Sequence, residues 1–97
     1  MAFSANAQVR LENASFEGES QDATTPMNWH PCEMGTTPDI LPGEFGVTLE
    51  ASEGETYMGL ITRDDGTYES VGQRLFTPME GEACYSIKVD LACSPNY

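Results

Sequence analysis

Sixteen Asp and Glu stand against four Lys and Arg in 97 residues, a net charge of −12, so the carboxylate is the most abundant reactive group. Carboxylates can pair as general acid and nucleophile for glycoside hydrolysis, or hold a hard cation. Here they are scattered singly and not in blocks, the pattern of a solvated surface, and no spacing selects a catalytic pair. The other reactive cluster is His30-Pro31-Cys32. A nucleophilic triad would need His30 as base beside a serine or Cys32, and the sequence offers no activating arrangement for it. The chain therefore reads as a binding module and not an enzyme. Cys32, Cys84 and Cys93 lack C-x-x-C spacing and only His30 lies near any of them, which argues against structural zinc. The acidic balance would repel phosphate backbones and anionic lipid, so neither nucleic acid nor membrane insertion is expected. No apolar run approaches the ~20 residues that span a bilayer.

The elements that must position any site read as β. A chain of 97 residues allows one small domain or part of one. Helix signals are almost absent, while Gly, Pro, Thr, Asp and Asn punctuate short apolar runs every few residues. The clearest predicted strand is 84–93, with Tyr85, Ile87, Val89 and Leu91 inward and Ser86, Lys88 and Asp90 outward. A second run, 57–62, is expected to pair with 67–75 across a tight turn whose positive-φ positions are Asp65 and Gly66. Residues 45–49 make a weaker strand, and Val9 to Leu11 with Phe16 an N-terminal one. Residues 24–43 hold four of the six prolines and read as a long loop.

Ala5-Asn6-Ala7 has the small-x-small form of a signal-peptidase site. Residues 1–7 are accordingly read as a signal-peptide or vector remnant, with 8–97 as the module, exported to the cell surface or the medium. In an oxidising compartment, three cysteines leave one thiol free or partnered elsewhere. Cys32 with Cys84 is the favoured pair, because Cys84 and Cys93 stand at opposite parity on one predicted strand and point to opposite faces.

Three stretches carry a resemblance. They are Asn13-Ala14-Ser15-Phe16-Glu17, then Pro26-Met27-Asn28-Trp29, then Ser52-Glu53-Gly54-Glu55-Thr56-Tyr57-Met58-Gly59-Leu60 followed by Glu69-Ser70-Val71-Gly72-Gln73-Arg74-Leu75. An Asn-x-x-Phe-Glu opening, a Pro-x-x-Trp, a Gly-x-x-Tyr strand and a Gln-x-Leu strand, in that order, resemble the first half of a galactose-binding-like carbohydrate-binding-module jelly roll. With Thr37-Pro38-Asp39-Ile40-Leu41-Pro42-Gly43 and Gly59-Leu60-Ile61-Thr62-Arg63, the string is similar to modules on exported surface proteins of gliding, polysaccharide-using bacteria. The implied fold is an all-β antiparallel jelly-roll sandwich. A jelly roll wants about eight strands, and four or five are legible here. The sandwich is thus expected to be incomplete, with further domains or a second chain completing it.

The resemblance also implies ligands. A structural calcium in such modules sits near the N-terminal strand, which here maps to Glu17 and to Ser52, Glu53 and Gly54. Calcium takes roughly six to eight oxygen ligands, which carboxylate and main-chain carbonyls supply. A glycan partner would pack its apolar ring face on an aromatic side chain and direct its hydroxyls to polar groups. Trp29, Arg63 and Tyr68 are the candidates, although a Pro-x-x-Trp tryptophan also serves as a core plug and Arg63 and Tyr68 flank a turn. The alternative is a structural or adhesive spacer with no glycan ligand.

Overall fold

A computed structural model describes residues 9–94 of the chain. The signal-peptide expectation for residues 1–7 lies outside them. The architecture is all-β: four short strands form two antiparallel two-stranded sheets, with no helix among the described residues. They are β1 (His30–Pro31), β2 (Asp39–Leu41), β3 (Tyr57–Gly59) and β4 (Val71–Gly72). β2 pairs with β3 in the register Asp39↔Gly59, Ile40↔Met58, Leu41↔Tyr57. β1 pairs with β4 as His30↔Gly72 and Pro31↔Val71.

β2 is the centre of the molecule. On the edge away from β3, Ile40 exchanges both backbone hydrogen bonds with Gln21, at 2.9 and 3.0 Å. Its backbone is satisfied on both sides, and Asp39, Ile40 and Leu41 are all buried. This corrects the reading of 24–43 as a loop, because both β1 and β2 lie within it. Proline cannot donate to a ladder, but Pro38 and Pro42 flank β2 without interrupting it, and Pro31 lies in a strand only two residues long. Pro26 and Pro38 are fully buried and pack as apolar bodies.

The 57–62 and 67–75 runs do form a hairpin at the tip, where Thr62 bridges Tyr68. The turn is one residue longer than expected. Gly66 N–H donates to Arg63 O at 3.2 Å and Arg63 N–H to Thr67 O at 3.0 Å, with Gly66 at φ +86°. This is a three-residue connection in which Gly66 alone needs positive φ. Asp65 instead accepts the Thr67 amide and hydroxyl at 2.9 and 2.6 Å. Past Glu69 the two arms part, so that β3 joins β2 and β4 joins β1.

Three predicted strands take other forms. Residues 45–49 begin in a turn, with Phe45 at φ 55° and Gly46 at φ 71°, and carry no ladder. The N-terminal run gives way to a turn over residues 12–15. Residues 84–93 are unpaired among the described residues, leaving Ile87 81% and Leu91 90% exposed. Alternation makes a strand possible, but a ladder needs a neighbour. The expected Cys32–Cys84 disulfide is also absent, all three cysteines being free and exposed. Cys32 instead lies where β1 meets β4, its amide donating to Ser70 O at 2.9 Å.

The core is thin. Among the described residues, Ile40 and Leu41 with Pro26 and Pro38 are the buried apolar side chains, and Thr36, Asp39, Thr56 and Glu69 are buried beside them. A radius of gyration of 15.9 Å exceeds the roughly 13 Å of a compact 100-residue domain. Polar side chains therefore carry much of the cohesion between segments.

Candidate functional site

Asn13, Phe16, Glu17, Trp29 and Gln73, from the stretches that carry the resemblance, gather into one knot of hydrogen bonds and ring contact. Asn13 holds the opening turn: its Nδ2 donates to Glu17 O and Met27 O, both at 3.0 Å, and its Oδ1 accepts Glu17 N–H at 2.8 Å. Its carbonyl takes the Phe16 amide and the Trp29 indole N–H, at 3.0 and 2.9 Å. Phe16, at φ 58°, lays its ring against Trp29 with centroids 4.9 Å apart. A bulky residue there costs about 1–2 kcal/mol, which the surrounding bonds and the ring contact offset. Gln73 joins the far end of the chain to this turn, accepting Glu12 N–H at 2.8 Å and donating to Glu12 O and Asn28 O at 2.8 and 3.1 Å.

The 52–56 loop closes over the same turn. Glu17 Oε1 accepts the Glu55 amide at 2.7 Å and the Thr56 amide at 3.3 Å. The Glu55 amide first, then the Ser15 side chain and the Thr56 amide, hold the Glu17 carboxyl below its ordinary range against a partial desolvation. Gly54, at φ +70°, lies so close that an added Cβ would fall within 2.6 Å of the Glu17 carboxylate. Buried Thr56 donates its hydroxyl to Phe16 O at 2.8 Å and accepts Gly18 N–H at 3.1 Å.

Of the expected calcium ligands, Glu17 and Gly54 are thus brought together. Ser52 turns its hydroxyl to Asp90 Oδ2 at 2.7 Å, and Glu53 is exposed. Both Glu17 oxygens take amide donors, Oε1 from Glu55 and Thr56 and Oε2 more distantly from Thr56 at 3.5 Å, so a cation here would share the carboxylate with these amides and take its remaining ligands from main-chain carbonyls and water. No three His, Cys, Asp or Glu side chains converge on a metal position among the described residues.

The expected sugar-contact residues fall in two places. Trp29 is half-buried in the Asn13 knot with its indole N–H engaged. Arg63 and Tyr68 flank the hairpin tip, where Tyr68 is 61% exposed. Arg63 Nη2 reaches Gly35 O at 3.3 Å and Glu69 Oε2 at 3.6 Å. A shallow open groove of about 490 Å³ beside the knot is lined by Asn13, Glu17, Thr24, Met27, Asn28 and Ile40, among others, and by none of the three.

A second polar hub was not singled out from sequence. The Glu69 side chain is fully buried; one oxygen accepts the Thr37 amide and, at 3.1 Å, the Thr37 hydroxyl, while the other accepts Ile61 N–H at 3.0 Å. Asp39 lies nearby, accepting Ala23 N–H at 2.8 Å. Burial first, then the charges of Glu69 and Asp22, push the Asp39 carboxyl above its ordinary range in spite of that bond. Both acids stand within the strings that carry the resemblance, and their turn-rich context concealed that they are buried. Searched against protein-family models, the curated proteins and the solved structures, the chain matches none.

Proposed function

We propose that the chain is a non-catalytic, carbohydrate-binding-like module of an exported bacterial surface protein, built on an antiparallel jelly-roll plan. The observation that carries this reading is the convergence of its motifs. Asn13, Phe16, Glu17, Trp29, Gly54 and Gln73 belong to stretches far apart in sequence, yet they meet in one knot. Such convergence is what a shared architecture requires of its signature residues, and unrelated turn residues have no reason to meet. Tyr68, 61% exposed, and Arg63, at the two sides of the hairpin tip, are the more accessible candidates for a sugar. Trp29 serves the same reading mainly by holding the turn.

The test is a titration of the chain with a broad oligosaccharide panel, followed by amide and indole NMR shifts. Shifts centred on Tyr68 and Arg63, weakened by Arg63→Ala, are the expected result. Silence across the panel would favour the spacer reading, which has its own support: the Trp29 indole N–H and the Arg63 guanidinium are both engaged within the chain. Calcium is tested separately. A melting temperature that falls in chelator, and does not fall in Glu17→Gln, supports an ion at Glu17; an unchanged one removes it.

A further inference from the structure

We propose that residues 84–93 are the contact of a two-fold dimer, each copy pairing this segment antiparallel with the same segment of the other. The inference stands apart from glycan binding. The segment has the alternation of a half-buried strand but no ladder among the described residues, and Ile87, Val89 and Leu91 are 81%, 56% and 90% exposed. It is nevertheless tied to the body through Asp90, and a local bond braces its start. Tyr85 Oη accepts Glu80 N–H at 2.8 Å, and Asp90 accepts the Ser52 hydroxyl at 2.7 Å. An anchored segment of alternating apolar and polar residues that makes no ladder among the described residues is a template for strand addition.

The charges choose the partner. In an antiparallel pair, residues directly opposite share a face. Centred on Val89, a two-fold pairing sets Lys88 opposite Asp90 twice, Ile87 opposite Leu91 twice and Val89 opposite itself. Centring on Lys88 would oppose two lysines, and centring on Asp90 two aspartates. A centre midway between adjacent residues would set polar against apolar side chains throughout. Centring on Ile87 also matches the faces but sets Lys88 against Ser86; only the Val89 register matches both faces and opposes Lys88 to Asp90, and it is self-complementary, as an isologous contact must be. Lys88 is the only lysine of a chain with net charge −12, and it lies in a stretch whose own charges cancel. Repulsion between two acidic copies is least along this stretch.

Sedimentation velocity of the full chain over a wide concentration range provides the test. The expected result is a reversible monomer–dimer equilibrium. Lys88→Asp places like charges opposite each other twice and should weaken association at least about tenfold. It leaves the Asp90–Ser52 contact in place, and circular dichroism checks the fold. The double variant K88D/D90K restores opposite charges and should recover the dimer, as should an equimolar mixture of the two single variants. In a background with Cys32, Cys84 and Cys93 changed to Ser, V89C should cross-link on oxidation, since the register brings the paired Cα atoms to about 4.5–5.5 Å. K88C should cross-link far less. A chain that stays monomeric throughout overturns the proposal. A dimer indifferent to Lys88→Asp, with no V89C cross-link, overturns the register and with it the proposal.

Discussion

Removing the Glu69 carboxylate should cost a large part of the stability of this molecule. Its side chain is fully buried and accepts two backbone amides and one hydroxyl from segments about thirty residues apart in one case and eight in the other. Glu69→Ala leaves the Ile61 amide without an acceptor in a half-buried place, and the Thr37 amide without one nearer to water. A buried donor left unsatisfied costs about 1–3 kcal/mol. With the Thr37 amide discounted for rehydration, the expected loss is about 3 kcal/mol, against roughly 5–15 kcal/mol for a whole domain. The Arg63 contact adds little, since Arg63 is 35% exposed and 3.6 Å away. Glu69→Gln retains one acceptor oxygen and should lose about half as much. Urea unfolding followed by Trp29 fluorescence measures both. A Glu69→Ala midpoint within experimental error of the wild type would refute the view that polar hubs, and not apolar burial, join these segments. Glu69→Gln also removes the negative charge that helps to raise the Asp39 carboxyl, so carboxyl-carbon NMR should show Asp39 titrating at lower pH.

Gly59 faces Asp39 across the ladder, and an added Cβ would meet Leu41 Cδ1 at 2.6 Å; Gly59→Val should destabilise by about 1–3 kcal/mol through overpacking, and a neutral result by urea unfolding would mean that Leu41 has room to move. Glu17, held below the ordinary carboxylate range chiefly by the Glu55 amide, contributes stability that is present at and above that range and lost as pH falls through its folded pKa. The gap in unfolding midpoint between wild type and Glu17→Gln should therefore close on acidification, and a constant gap would remove the amide contacts as its cause. Asp39, raised above 3.8 chiefly by burial, acts oppositely: its folded form holds the proton more tightly, so this contribution declines as pH rises through the window above 3.8. Asp39→Asn should lack that decline, and parallel pH profiles of the two chains would exclude it.

The parts of the site legible in the sequence are those set by short-range rules. The Gly66 turn follows from a backbone that needs one left-handed residue between two runs. Arg63 and Tyr68 flank that turn because a hairpin allows nothing else. The nearness of Gly54 to Glu17 was implied by the resemblance, and the structure places them together.

By itself, the sequence determined the all-β class, through frequent turn residues and the lack of helical periodicity, and the location of the hairpin tip. Tertiary structure alone decided which runs became strands. Residues 84–93 have the better alternation and stay unpaired, while the proline-rich stretch supplies β2, because a strand exists only where another backbone answers its donors and acceptors. Tertiary structure also decided that Glu69 and Asp39 are buried among so many surface carboxylates. Burial depends on which distant segments close over a side chain, and Thr37, Ile61 and Ala23 do so here through contacts that no local spacing records.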